Sequence, residues 1–180
     1  GPENAFVCLW AAQDAVGTWY IYDEYYSTDQ SMTYLDHAEL IQGRHPWIND
    51  AWHGPTYGDP ASPGLARLFG QHGVPVSSAN NQVLEGIESV RLALQLQNGD
   101  AKLIVDSKRC PNLLREMQTY VWEKSKGGKF NRNAAPRPLK RDDHSCDALR
   151  YLIHTTGQVR AKNSTYSSKI LPKNLTRFVK

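Results

Sequence analysis

The sequence predicts an α/β layered fold, on two observations. Apolar residues alternate along the chain between strand-like runs and helical spacing, in the order β-β-α-β-α-β-α-(β)-α-α. The composition, 40% hydrophobic and 22% charged over 180 residues, is that of a chain able to bury a core rather than of a disordered one. No apolar run reaches the roughly 18 residues of a membrane-spanning helix, and no secretory signal is visible.

Each element has its own signal. Residues 5–12 are a nearly continuous apolar run, and residues 18–26 are aromatic and β-branched. With the turn residues 14–17 between them they predict a β-hairpin. From Ser31 the spacing of Met32, Leu35, Ala38, Leu40 and Ile41 is helical and stops at Gly43. A loop rich in Trp and His fills residues 44–53, followed by a short strand around Thr56 and Tyr57. Pro63 starts a short helix ending at Gly73, and Val74-Pro-Val76 is a short strand. Residues 82–97, with Val83, Leu84, Ile87, Val90 and Leu94, form an amphipathic helix. A short strand or extended segment at residues 102–106 precedes a helix at 111–122, which carries Leu113, Leu114, Met117 and Val121 on one side. A last helix runs from Asp142 to about His154. Residues 1–157 then form one domain, and residues 158–180 a basic, mobile tail with one apolar cluster at Ile170-Leu171. The start Gly1-Pro2, without methionine, is that of a piece of a longer protein or of a protease scar.

The net charge of +3 averages two unlike halves. Residues 1–100 hold 12 acids and 3 bases, a net of −9; residues 101–180 hold 6 acids and 18 bases, a net of +12. Such asymmetry points to a polyanion-binding face beside clustered carboxylates, or to ordinary surface variation. The densest stretch is residues 124–141, with Lys124, Lys126, Lys129, Arg132, Arg137, Lys140 and Arg141 and no acid. It reads as a basic loop or hairpin that holds phosphates without reading bases, or as a solubilising loop. Three scattered cysteines (Cys8, Cys110, Cys146) without a C-x-x-C pair fit a reducing compartment, with a zinc site only by coincidence of folding.

Two places carry acids suited to chemistry. In Asp142-Asp143-His144-Ser145-Cys146-Asp147, Asp143 and Asp147 stand four apart and share one helix face, with His144 a neighbour of Asp147. Two carboxylates at that spacing repel unless a hard divalent cation sits between them. Helix capping by Asp142 or Asp143 is an equally good account of the first two acids, though not of Asp147 one turn in. Asp59, in Gly58-Asp59-Pro60, ends a strand just before a helix, where ligands of open α/β sheets collect; a plain turn aspartate is the simpler alternative. Asp23 and Glu24 read as a strand end. There is no G-x-x-x-x-G-K-[ST] loop and no G-x-S-x-G elbow.

Taken together, these segments resemble the C-terminal nuclease domain of the large terminase subunit of tailed bacteriophages. The resemblance runs over most of residues 4–153. It includes Asn4-Ala-Phe-Val-Cys-Leu-Trp10, Tyr20-Ile-Tyr-Asp-Glu-Tyr-Tyr26, Gly58-Asp-Pro-Ala-Ser-Pro63, Asn80-Asn-Gln-Val-Leu-Glu-Gly-Ile87, Cys110-Pro-Asn-Leu-Leu-Arg-Glu116 and Asp143-His-Ser-Cys-Asp-Ala-Leu-Arg-Tyr151. The pairing of D-P-x-x-P with a later D-H-x-x-D-A-L-R-Y is its most specific part. The resemblance implies a ribonuclease H-like mixed sheet flanked by helices. It also implies a metal-dependent endonuclease that cuts concatemeric double-stranded DNA during viral packaging, with little sequence preference.

By the same resemblance, two Mg2+ or Mn2+ ions about 4 Å apart would be held by carboxylates. Asp59 and Asp147 would be ligands, Asp143 an outer ligand, and His144 a ligand or an orienting group. The family's usual first-strand aspartate has no match here, so a central strand is expected to be missing or supplied by something else. Implied partners are double-stranded DNA, the ATPase domain of the same large subunit, the portal protein and a small terminase subunit. The implied place is the host cytoplasm, with no membrane. Alternatives are another ribonuclease H-like nuclease of resolvase or transposase type, or an inactive DNA-binding, motor-docking module lacking its first acid.

Overall fold

The computed structural model describes residues 5–44, 53–96, 99–123, 137–163 and 175–179. Its elements are β1 (Phe6–Gln13), β2 (Trp19–Ser27), α1 (Tyr34–Arg44), β3 (His53–Gly58), α2 (Pro63–Gln71), β4 (Val76–Ser78), α3 (Val83–Leu94), β5 (Leu103–Val105), α4 (Pro111–Thr119), α5 (His144–Asn163) and β6 (Leu175–Val179). The α/β class and the order of the first ten elements are those the sequence predicts. Boundaries differ by a few residues, most at α5, which continues to Asn163.

One mixed sheet runs in the order β4-β3-β6-β1-β2-β5. β1 and β2 form the expected antiparallel hairpin, with a bulge at Trp10 and Ala11. The Asp14 carboxylate closes its turn by accepting the N–H groups of Val16 (3.0 Å) and Thr18 (2.8 Å). β1 is buried on both faces, which is why its sequence is an unbroken apolar run instead of an alternation. Phe6, Cys8 and Trp10 face one helical layer, against Ala38 and Ile41 of α1 and Leu65 and Phe69 of α2. Val7, Leu9 and Ala11 face the other, against Leu113 of α4 and Leu149 and Leu152 of α5. The strand is the seam between two cores.

The C-terminal end departs from expectation. The tail's last residues, 175–179, form β6 in the middle of the sheet, antiparallel to β1 and parallel to β3. The central strand expected to be missing or supplied by something else is thus supplied by the chain's own C-terminal segment. The physical reason lies in the edges: without β6, β1 and β3 would each present an unpaired row of backbone groups inside the sheet. The expected packing at Ile170-Leu171, and the loop expected over residues 44–53 apart from Arg44 and His53, lie outside the described residues.

Two carboxylates fix the helices that follow the sheet. Glu24 of β2 accepts the N–H groups of Asn112 (2.7 Å) and Leu113 (2.9 Å), and the Asn112 side-chain amide as well. It thereby caps α4. Glu116 of α4 in turn accepts the N–H groups of Ser145 (2.6 Å) and Cys146 (3.1 Å) and caps α5. Asp23, beside Glu24, holds Arg44 at the end of α1 through two hydrogen bonds of 2.8 and 3.0 Å. The pair read as a strand end therefore ties helices of both layers to β2.

Candidate active site

The first turn of α5 meets the carboxyl end of β3 at the wall of a cleft of about 1110 Å³, which Asp59, Asp142, Asp143 and His144 help to line. Asp142 enters the turn with φ of +50°, a left-handed conformation that aspartate tolerates better than most residues. Asp143 follows as the residue before α5, its carbonyl receiving the Asp147 N–H at 2.8 Å. Its carboxylate does not cap the helix, since Glu116 does. It accepts a hydrogen bond from the Lys140 ammonium at 3.0 Å instead.

The same Lys140 Nζ lies 3.0 Å from Oδ2 of Asp147. One cation thus bridges two nearly buried carboxylates, the side chains of Asp143 and Asp147 being only 5% and 3% exposed. Burial alone would lower the Lys140 pKa, but the charge of Asp147 and the hydrogen bonds to both carboxylates outweigh it and raise it. The ammonium stays charged throughout the physiological range.

The other oxygen of Asp147, Oδ1, is held by Arg150 Nε at 3.2 Å and by a second guanidinium nitrogen at 3.1 Å. Arg150 is itself buried, hydrogen-bonds to Asn81 Oδ1 at 2.9 Å and lies over the Tyr151 ring. Gly86 of α3 makes room for it: a Cβ there would stand 2.6 Å from Arg150 Cγ and 2.9 Å from Cδ. Gly86→Ala is therefore expected to destabilise the fold by about 1–3 kcal/mol, although helix propensity alone favours alanine by about 1 kcal/mol. Thermal melting of the variant checks this.

Asp59 stands at the end of β3, as the sequence predicts. One of its oxygens makes a turn, accepting the Ala61 N–H at 2.9 Å. Burial, then the charges of Asp147 and Asp59, raise the pKa of the Tyr151 phenol. His144 Nε2 receives the Ala5 N–H at 3.4 Å, a long contact that ties the start of β1 to the start of α5. Among the described residues, no three His, Cys, Asp or Glu side chains converge on one metal-binding point.

The structure therefore joins Asp143 and Asp147 through Lys140, and sets Asp59, Asp143 and His144 along one cleft. Glu116 and Arg150 are supports that sequence reasoning missed. Arg150 had a signal, three residues after Asp147 and on its face. Of the bases expected to hold phosphates, Lys124, Lys126, Lys129 and Arg132 lie outside the described residues. Arg137 is exposed, in the segment that pairs antiparallel with residues 121–123 through the Trp122–Pro138 bridge. Lys140 and Arg141 are drawn toward acids, Arg141 standing 3.5 Å from Asp142.

No family model and no curated protein matches the chain. Among solved structures it is similar to the large terminase of a thermophilic bacteriophage, at 26% identity and a TM-score of 0.68 over 86% of this chain. The same terminase in complex with ATP-γ-S gives the same identity and TM-score, and in complex with ADP 27% and 0.67. The chain spans about 37% of that protein's length. The fold is the ribonuclease H-like mixed sheet flanked by helices that the sequence resemblance implies, and the chain is structurally related to a phage large terminase.

Proposed function

We propose that this chain is the nuclease part of a phage DNA-packaging terminase, a metal-dependent endonuclease acting on double-stranded DNA. The observation that carries the proposal is the pair Asp143 and Asp147. These are two buried carboxylates four residues apart at the start of a capped helix, already sharing one cation. Oxygen donors of this kind suit Mg2+ or Mn2+. Bringing both into a half-dry site is unfavourable without positive charge between them.

When bound, divalent ions would supply the Lewis acidity for phosphodiester hydrolysis, with Asp147 and Asp143 as ligands and with Asp59, which lines the cleft beside Asp143, as a further one. The chain's own residues set that geometry. Arg150 fixes the Asp147 carboxylate through one oxygen and leaves the other turned to Lys140. Glu116 fixes the helix start. His144 is placed to orient a water or a leaving group. Arg137 and the basic residues before it would hold DNA phosphates. The ATPase domain of the same large subunit, the portal protein and a small terminase subunit are the partners this role requires, in the host cytoplasm. Among the described residues no helix is long and apolar enough to cross a membrane.

Conversion of supercoiled plasmid to nicked and linear forms in Mn2+ tests the proposal. Asp147→Ala is expected to lower that rate by at least about a thousandfold, because the site loses a ligand and Arg150 loses its partner. Binding of DNA without any cleavage would favour the motor-docking alternative. Cleavage confined to four-way junctions would favour a resolvase.

A further inference from the structure

The two cations on Asp147 are unlike each other. Arg150 is 3% exposed, anchored on Asn81 and packed on Tyr151, so it cannot leave without opening the core between α3 and α5. Lys140 is 59% exposed and comes from the irregular segment before α5, so its head can leave by rotation of its own side chain. Its ammonium lies 3.0 Å from one oxygen of each acid, and so answers the same two negative charges that a hard cation would.

We propose that Lys140 is an internal counter-ion that holds Asp143 and Asp147 together in the metal-free protein and is exchanged for a divalent ion when the site loads. The proposal rests on the metal-site function given above and adds a regulatory step to it. The exchange keeps positive charge between the acids: a monovalent ammonium leaves and a divalent ion enters between the same two carboxylates. It has two consequences. The metal-free site is kept assembled rather than splayed by repulsion between its acids. The metal must compete with a tethered cation, so the intact protein binds it more weakly than the bare carboxylates would. On release, the ammonium stands at the cleft edge beside Arg141, able to meet a phosphate. DNA and metal would then favour each other's binding through one side chain.

The test is direct Mn2+ binding to the full 180-residue chain, followed by the electron paramagnetic resonance signal of free Mn2+. Wild type, Lys140→Met and Asp147→Asn are compared. Lys140→Met keeps most of the length of the side chain and removes its charge. It is expected to bind Mn2+ roughly five- to tenfold more tightly than wild type, the scale on which one partly exposed ion pair shifts an equilibrium. It is also expected to melt lower than wild type without metal and close to it in saturating Mn2+. Equal or weaker Mn2+ binding by Lys140→Met, with Asp147→Asn abolishing binding, would overturn the exchange and leave the metal site standing. Absence of Mn2+ binding in all three proteins would overturn both.

Discussion

Removal of residues 175–180 is expected to abolish the cooperative fold. Among the described residues, β6 is the sole link in the sheet order between the β4-β3 pair and the β1-β2-β5 group. Its pairing with β1 runs from Cys8 opposite Val179 to Ala12 opposite Leu175, and with β3 from His53 opposite Leu175 to Gly58 opposite Val179. Deleting it would strip ladder bonds from two strands at once, each worth about 1 kcal/mol net and more where a buried group is left unpaired. A domain's whole stability is only about 5–15 kcal/mol. The consequence reaches the site, because Asp59 follows β3 directly, and β6 seats β3 beside β1 in the sheet. Far-UV circular dichroism melts and size-exclusion chromatography decide the matter. The truncated chain should show no sharp transition and should associate through its opened edges. A monomer that melts cooperatively within a few degrees of the full chain would show that β6 is dispensable. Thr176→Pro, which only removes one N–H from a central strand, should cost about 3 kcal/mol.

The contrast between β1 and β6 shows what sequence can reveal. β1 announces itself, because a strand covered on both faces must be apolar at successive positions, and Phe6 to Ala11 are. β6 has strand-prone Phe178 and Val179, but it sits in a polar, basic stretch whose composition reads as a tail. Its place is settled by partners more than 100 residues away, β3 and β1, and no local pattern encodes that. The site divides in the same way. The places of Asp59 after β3 and of Asp143 and Asp147 at the start of α5 were legible from the strand-to-helix junction and from helix spacing. What each oxygen touches was not. The sequence places Lys140 in a basic run, and only the fold turns its head from solvent phosphates to the two acids. Capping of α5 by Asp142 or Asp143 was a sound local expectation, overridden because a carboxylate from another helix reaches the same N–H groups.

That carboxylate carries the second large effect. Glu116 is fully buried and accepts the first free N–H groups of α5. On a sequence it looks like a solvated acid, yet it stands three residues after Leu113, on the apolar face of α4. Glu116→Ala would take the carboxylate acceptor from the buried Ser145 N–H and the part-buried Cys146 N–H, at about 1–3 kcal/mol each, and open a cavity besides. The expected loss is about 4 kcal/mol, or roughly 10 °C in melting temperature for a chain of this length. Glu116→Gln keeps an acceptor in place and should lose only about 1 kcal/mol. The two variants differ further in their response to pH. Burial raises the Glu116 pKa above its ordinary 4.5, against the pull of the Cys146 and Ser145 N–H groups. Tyr26, nearby, is pushed up to about 12 by its own burial and by the charge of Glu116. The folded protein then holds the Glu116 proton more tightly than the unfolded chain does. Stability from this group is full below pH 4.5 and is lost as pH rises through the raised folded value. Glu116→Gln cannot titrate there. Urea unfolding at steps between about pH 5 and about pH 8 should therefore show wild type losing stability relative to Glu116→Gln as pH rises. A difference that stays flat, or grows in favour of wild type, would mean that the two N–H groups outweigh burial and that Glu116 caps the helix as a settled anion.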